Sequence, residues 1–260
     1  MRLLFVADVV GAPGRRALED RLPALRDELD VDACVVNGEN AADGVGLTPK
    51  LAERLLAAGA DAITLGNHTW RRQEIGPYLE RSERVVRPAN MAAAAPGRGL
   101  AVVEARNGAR VAVVNVLGSL FLEPHAHFFD VVDGLVDEAR ASTPVVLVDV
   151  HAEATSEKVA LARWLDGRVT AVIGTHTHVQ TSDARVQPGG TAALTDAGMT
   201  GPHDSVIGVK AELAIRRMRT GMPTRFEVAE GGVRIEGAVV DCDADTGRAT
   251  AIEPLRVPWP

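Results

Sequence analysis

The chain has 260 residues, 46% hydrophobic and 24% charged, and carries a net charge of -7 from 28 Lys and Arg against 35 Asp and Glu. That length suffices for one large α/β domain with a sizeable core, and the acidic balance argues against a broad nucleic-acid-binding face, which needs a basic stripe to displace counterions. No apolar run approaches the ~18 residues of a bilayer span, and Asp8 interrupts the first apolar stretch too early for a signal-peptide core, so a cytoplasmic protein is expected.

Leu3 to Ala7 reads as a strand buried on both faces, ending at Asp8 and a Gly11-Ala12-Pro13-Gly14 turn. Leu18, Leu22, Leu25 and Leu29 follow at helical spacing. A second strand, Ala33 to Val36, ends at Asn37-Gly38-Glu39-Asn40. Beyond a loop, Thr48 caps and Pro49 starts a helix through Leu51 and Leu55 that stops at Gly59. Asp61 to Leu65 is a third strand, ending at Gly66-Asn67-His68. Three strand–helix units in succession predict right-handed crossovers and parallel pairing, with ligands bound outside the carboxyl ends of the strands.

Asn107-Gly108 marks a hairpin between Leu100 to Ala105 and Val111 to Val116, which makes the sheet mixed. Gly118 to Asp130 is expected to be a surface loop, its His125 and His127 solvated rather than a second metal pair. A helix through Val132, Leu135 and Val136 precedes the strand Val145 to His151. Thr155 or Ser156 caps the next helix, and Val169 to Ile173 is a buried strand closed by Gly174-Thr175-His176-Thr177-His178. If the backbone stays extended there, residues two apart face one side, and His176 and His178 aim at one spot. The pattern further predicts a helix from Ser205 to Met218, its basic end suiting the negative C-terminus, and a hairpin of Arg225 to Glu230 with Val233 to Val240 around Gly231-Gly232. Cys34 and Cys242 suit buried reduced thiols. Trp70, Tyr78 and Phe128 are expected in the core. No repeat or linker divides the chain, so residues 1–260 are expected to form a single domain.

Five strand ends therefore present Asp8; Glu39 with Asn40; Asn67 with His68; His151; and His176 with His178. Imidazole, carboxylate and carboxamide without thiolate fit first-row ions, and the donors are too many for one four-coordinate ion. Two ions about 3.5 to 4 Å apart, bridged by a carboxylate, would use them all. Asp149, two residues before His151, either orients a ligand or lies solvated at the strand end.

These motifs resemble the calcineurin-like metallophosphoesterases. They are most similar to the YmdB-like branch, through Asp8 to Gly11, Gly38 to Asn40, Gly66 to His68, His151 to Lys158 and Gly174 to His178, over residues 1 to about 230. The resemblance implies a mixed β-sheet sandwich flanked by helices, with a dinuclear site at the strand carboxyl ends. It implies one ion on Asp8, Glu39, Asn40 and His178 and another on Glu39, Asn67, His151 and His176, with Glu39 bridging. The ions would be divalent or mixed-valence first-row metals, iron first, with manganese or zinc as alternatives. The implied reaction is hydrolysis of a small phosphate ester, a 2′,3′-cyclic nucleotide such as 2′,3′-cAMP, by a hydroxide between the ions, with His68 as proton donor. The alternatives are a broad phosphatase or phosphodiesterase, and a regulator that uses the site to sense a ligand; homo-oligomers remain open. Three departures from the wider superfamily stand out: Val10 replaces a usual histidine, Glu39 the usual bridging aspartate, and Thr69 the acidic residue that commonly follows the histidine.

Overall fold

The computed structural model describes residues 1–260. Two sheets are present. The first runs β2 (Asp8–Val9), β12 (Met199–Pro202), β13 (Val233–Cys242), β1 (Arg2–Val6), β3 (Ala33–Asn37), β4 (Ala62–Thr64) and β5 (Val85–Val86), with β14 (Ala249–Pro258) paired along β13. The second runs β10 (Arg185–Val186), β11 (Ala192–Leu194), β9 (Ala171–Thr175), β8 (Val146–His151), β7 (Arg110–Leu117) and β6 (Leu100–Glu104). As the strand–helix order predicts, β1, β3, β4 and β5 pair in parallel, as do β7, β8 and β9. The Asn107-Gly108 turn closes the antiparallel β6–β7 hairpin.

The two-residue period of the strands builds the layers. In β1, Leu3 and Phe5 point between the sheets, where Val35, Val113, Leu147 and Ile173 meet them, while Leu4 and Val6 point outward. Outside the first sheet lie α1 (Gly11–Glu28), α2 (Pro49–Ala57) and α3 (Gly76–Arg81), which bring Leu18, Leu22, Leu55 and Leu79 onto Leu4 and Val36. Outside the second lie α4 (Phe129–Ser142) and α5 (Thr155–Trp164), whose Val132, Val136 and Leu161 cover Val146, Val148 and Val150. The result is the expected mixed α/β sandwich flanked by helices. No helix is long and apolar enough to cross a membrane. Cys34 and Cys242 are buried and free.

Local chemistry accounts for most boundaries and for four corrections. The Thr48 hydroxyl accepts from Leu51 N at 3.3 Å, capping α2 as expected. Neither Thr155 nor Ser156 caps α5, because both lie inside it and Ala154 holds the cap position without a side-chain bond. The helix expected from Ser205 is α6 (Ala211–Thr220), six residues later at its start. Ile207 and Gly208 are left-handed, and Val206 and Val209 close a tight turn on each other. The hairpin expected around Gly231-Gly232 is absent, since those residues accept from the backbone N–H groups of Asp204 and His203 and fold about them. β13 instead makes its hairpin with β14, which the residue pattern hid. β14 is a largely exposed edge strand carrying Glu253, Pro254, Arg256 and Pro258, residues that disfavour a central strand. Tyr78 and Phe128 are buried as expected, but Trp70 is 37% exposed because it follows His68 in a short turn at the surface, Thr69–Arg71.

Candidate metal centre

Both sheets end at the same edge, and eight side chains meet there. Asp8 opens β2 just after β1; Glu39, Asn40, Asn67 and His68 follow β3 and β4; and His151, His176 and His178 come from the ends of β8 and β9. Asp149 ties the two sheets together beneath them. Its buried carboxylate accepts from Asn37 Nδ2 at 3.0 Å, Thr64 Oγ1 at 2.5 Å and Thr175 Oγ1 at 2.7 Å, so strands from both sheets share one acceptor. Asn37 also accepts the Glu39 N–H through Oδ1 at 3.2 Å, which fixes the start of the Gly38-Glu39-Asn40 turn.

This network sets a tautomer. With its proton given to Asp149, the Thr175 hydroxyl can only accept from His151 Nδ1, 2.9 Å away. Nε2 of neutral His151 is therefore a bare lone pair facing the centre. Around it lie Asn67 Oδ1 at 3.0 Å, His176 Nδ1 at 3.1 Å and Glu39 Oε1 at 3.2 Å. His176 Nε2 lies 3.1 Å from the half-exposed Glu153 carboxylate. When His151 is neutral, its Nε2 therefore meets Asn67 Oδ1, His176 Nδ1 and Glu39 Oε1 with no proton of its own to offer them. Glu39 Oε1 is fully buried, with His68 Nδ1 at 3.1 Å and His151 Nε2 at 3.2 Å, neither of them aligned for a hydrogen bond. An uncompensated buried carboxylate oxygen costs several kcal/mol unless a cation or proton reaches it. Glu39, His151 and His176 place ligand atoms within 4.8 Å of one another, a spacing that can hold a metal ion.

The protonation tendencies express the same demand. Burial pushes His151 down, but the Glu39 carboxylate prevails and raises it to about 9. Burial, then the neighbouring His151 charge, pushes His176 down to about 3. Burial opposes ionisation of Glu39, yet His151 and His68 hold it well below the usual carboxylate range. Without an ion, one proton on His151 is the positive charge the cluster keeps; a metal would displace it. Burial raises Asp149 to about 6 against the pull of His151, Thr64, Thr175 and Asn37.

A second group adjoins the first. Asp8 Oδ1 lies 3.6 Å from His178 Nε2, and the Asn40 Nδ2 group sits between them, 3.4 Å from Asp8 and 3.2 Å from His178. His178 Nδ1 donates to the Ile207 carbonyl at 3.0 Å, so its Nε2 also faces inward as an acceptor. Asn40 Oδ1 meanwhile accepts from His68 Nδ1 at 2.7 Å. To offer an oxygen beside Asp8 and His178, the carboxamide would have to turn over and release His68. The Asn40 amide thus fills a space that, in the dinuclear reading, belongs to a cation.

All eight expected side chains are contiguous, but His176 and His178 do not arrive as an extended pair. Both are left-handed, with φ of 96° and 62°, and their rings serve different halves of the centre. The turn that holds them is built on Asp196, whose Oδ2 accepts from Lys158 Nζ at 2.7 Å, Thr177 N at 3.1 Å and Thr177 Oγ1 at 2.5 Å. Glu153, Lys158, Thr175 and Asp196 escape a reading of single motifs. The signal available was the proximity of the first two to His151 and of Thr175 to His176. Two glycines are required by space. A Cβ at Gly66 would overlap Glu39 and the His151 ring, and one at Gly174 would strike the Thr195 carbonyl. His125 is exposed, and His127 packs on Phe128 and Phe129.

Comparison with known proteins agrees with this frame. A family model described as YmdB-like protein matches residues 4–255, so the likeness runs past residue 230 and into β14. A Bacillus subtilis (strain 168) protein named 2′,3′-cyclic-nucleotide 2′-phosphodiesterase is 48% identical over 257 residues, covering 99% of this chain and 97% of that protein. A crystal structure of a hypothetical protein from Thermus thermophilus superposes with a TM-score of 0.93 at 44% identity, covering 100% of both chains. One of a novel phosphatase from Mycoplasma pneumoniae gives 0.91 at 34% identity, covering 99% of this chain and 93% of that one.

Proposed function

The chain belongs to the YmdB-like protein family, and from that premise we propose that it is a metal-dependent phosphodiesterase that opens 2′,3′-cyclic nucleotides at the 2′ ester. The single observation that carries the metal dependence is the fully buried Glu39 carboxylate, whose ligand oxygen lies within 4.8 Å of ligand nitrogens of His151 and His176. We read residues 1–260 as one domain holding two first-row ions, iron first. Glu39, Asn67, His151 and His176 would hold one, and Asp8, Glu39, Asn40 and His178 the other. Bound there, the ions would supply a nucleophile at neutral pH and neutralise charge on the phosphate.

The protein's own groups do the rest. With an ion in place of the proton, Asp149 through Thr175 would hold the remaining His151 proton on Nδ1 and leave Nε2 to the ion. His68 is half-buried; once Asn40 turns its oxygen to the ion and releases it, Nδ1 still lies 3.1 Å from Glu39 Oε1, and Nε2 has no protein partner. From that position Nε2–H gives a proton to the departing 2′ oxygen. In balance, the oxygen of water ends on phosphorus, the 2′ ester bond breaks, and the proton lost by water restores His68.

The test is metal content of the purified protein together with turnover of 2′,3′-cAMP and p-nitrophenyl phosphate. The expected result is bound first-row metal, preference for the cyclic nucleotide, and 3′-AMP as product. Equal or better turnover of the monoester would replace this reading with a broad phosphatase. Absence of bound metal and of any activity after metal addition would remove the enzyme reading.

A further inference from the structure

The chain has three tryptophans, and two are tied down. Trp164 Nε1 donates to Asp133 at 2.9 Å, and Trp259 Nε1 to Asp20 at 2.9 Å. Trp70 Nε1 donates to nothing in the protein, and its ring pairs with no other aromatic and no cation. It lies one turn beyond Asn67, the residue whose Oδ1 faces His151 Nε2. Trp70 and Asn67 line one cleft of about 500 Å³, together with Met91, Leu122, Pro124 and His125. That size suits a nucleoside, and a mixed lining, with Trp70, Met91 and Leu122 beside Asn67, Glu123 and His125, offers a base an apolar face and polar edges.

The far wall is preformed. The side chain of buried Asn90 donates to the carbonyls of Leu117 (2.7 Å) and Ala126 (3.0 Å) and accepts from Leu117 N at 2.8 Å. Its own carbonyl accepts from His125 N at 3.0 Å and Ala126 N at 3.1 Å. The segment carrying Leu122 and His125 is thereby pinned opposite Trp70. A second groove, beside His178, is smaller at about 270 Å³, and its Phe226 ring lies under the Arg217 guanidinium at 5.1 Å.

We propose that the cleft at Trp70 is the base-binding subsite, a proposal that rests on the cyclic-nucleotide reading of the adjoining centre. A phosphate held at the metal centre leaves ribose and base pointing past Asn67, where the open face of Trp70 stacks on the base. Stacking accepts every base, so selectivity among the four nucleotides is weak while selectivity for a base over none is strong.

The test uses metal-loaded full-length protein, Trp70→Ala and Trp70→Phe, with 2′,3′-cAMP and its base-free counterpart, ribose 2′,3′-cyclic phosphate, as substrates. Trp70→Ala should raise KM for 2′,3′-cAMP about tenfold with little change in kcat and leave the base-free substrate unaffected, and Trp70→Phe should recover most of the loss. In the parent, 3′-AMP should quench tryptophan fluorescence, and Trp70→Phe should abolish the quench. Turnover of 2′,3′-cAMP that ignores the Trp70 variants, or falls equally for both substrates, overturns the subsite and leaves the reaction standing. A Trp70-dependent quench without turnover of either substrate supports the subsite and overturns the reaction.

Discussion

Asp149 reaches His151 through the hydroxyl of Thr175, two hydrogen bonds of 2.7 and 2.9 Å in series. The hydroxyl has one proton, so its direction is dictated by the carboxylate, and the imidazole tautomer follows from that direction. Thr175→Val keeps the shape and removes the relay. Affinity for added manganese should fall about 10- to 100-fold while Thr175→Ser stays near the parent. Titration calorimetry reads this directly, and an unchanged affinity in the valine variant would show that the tautomer is set elsewhere.

His68 touches Glu39 and Asn40 but lies outside the lone-pair cluster at His151 Nε2. Replacing it by alanine should leave metal content unchanged and lower kcat on 2′,3′-cAMP by about 10²- to 10⁴-fold. Metal analysis beside steady-state kinetics separates the two effects. Full activity in His68→Ala would take the residue out of the reaction.

Gly66 has no side chain because Glu39 and His151 occupy the space one would need. Its φ lies outside the left-handed region, so alanine there is wrong only sterically. Gly66→Ala should remain folded by circular dichroism but lose metal binding and turnover. A variant that retained both would mean that the two side chains can separate without loss.

Lys158 and Asp196 form a buried pair, with side chains 2% and 1% exposed. Asp196 also holds both the backbone and the hydroxyl of Thr177, between His176 and His178. Lys158→Met would leave the carboxylate without its counter-ion, at a cost of about 3–5 kcal/mol in urea unfolding. Metal affinity should fall as well, because the turn loses its anchor. Asp196→Asn with Lys158→Met should recover stability better than either single change, a coupling that a double-mutant cycle measures. Strict additivity would refute the pairing.

Chelation offers a check on the whole centre. A ligand that binds only the folded state adds about 2.7 kcal/mol at a hundredfold excess over Kd. Manganese should therefore raise the melting temperature of the parent, and Glu39→Gln should erase that rise. A similar rise in the variant would place the ion away from Glu39.

The chain order of residues was enough to determine the central strands β1, β3, β4 and β6 to β9, the parallel crossovers and the kinds of donor at five strand ends. Apolar periods of two and 3.6 are local, and a run such as Val145 to Val150 declares itself without reference to the rest of the molecule. The same locality hid β14, whose exposed edge needs only its partner β13 to exist. It also misplaced Trp70, because a large ring reads as core unless one knows that the turn after His68 faces outward.

What each donor does was decided only in three dimensions. Asn37 and Asp149 are 112 positions apart, Thr64 and Asp149 are 85, and no spacing rule links them. A carboxylate acquires a fixed set of donors, and an imidazole a fixed tautomer, only when strands from two sheets pack edge to edge. The left-handed turn at His176 and His178 belongs to the same class, since it is held by Asp196 at the end of another strand. Covalent order specifies which groups are available; which atom is left without a proton depends on neighbours that folding brings within about 3 Å.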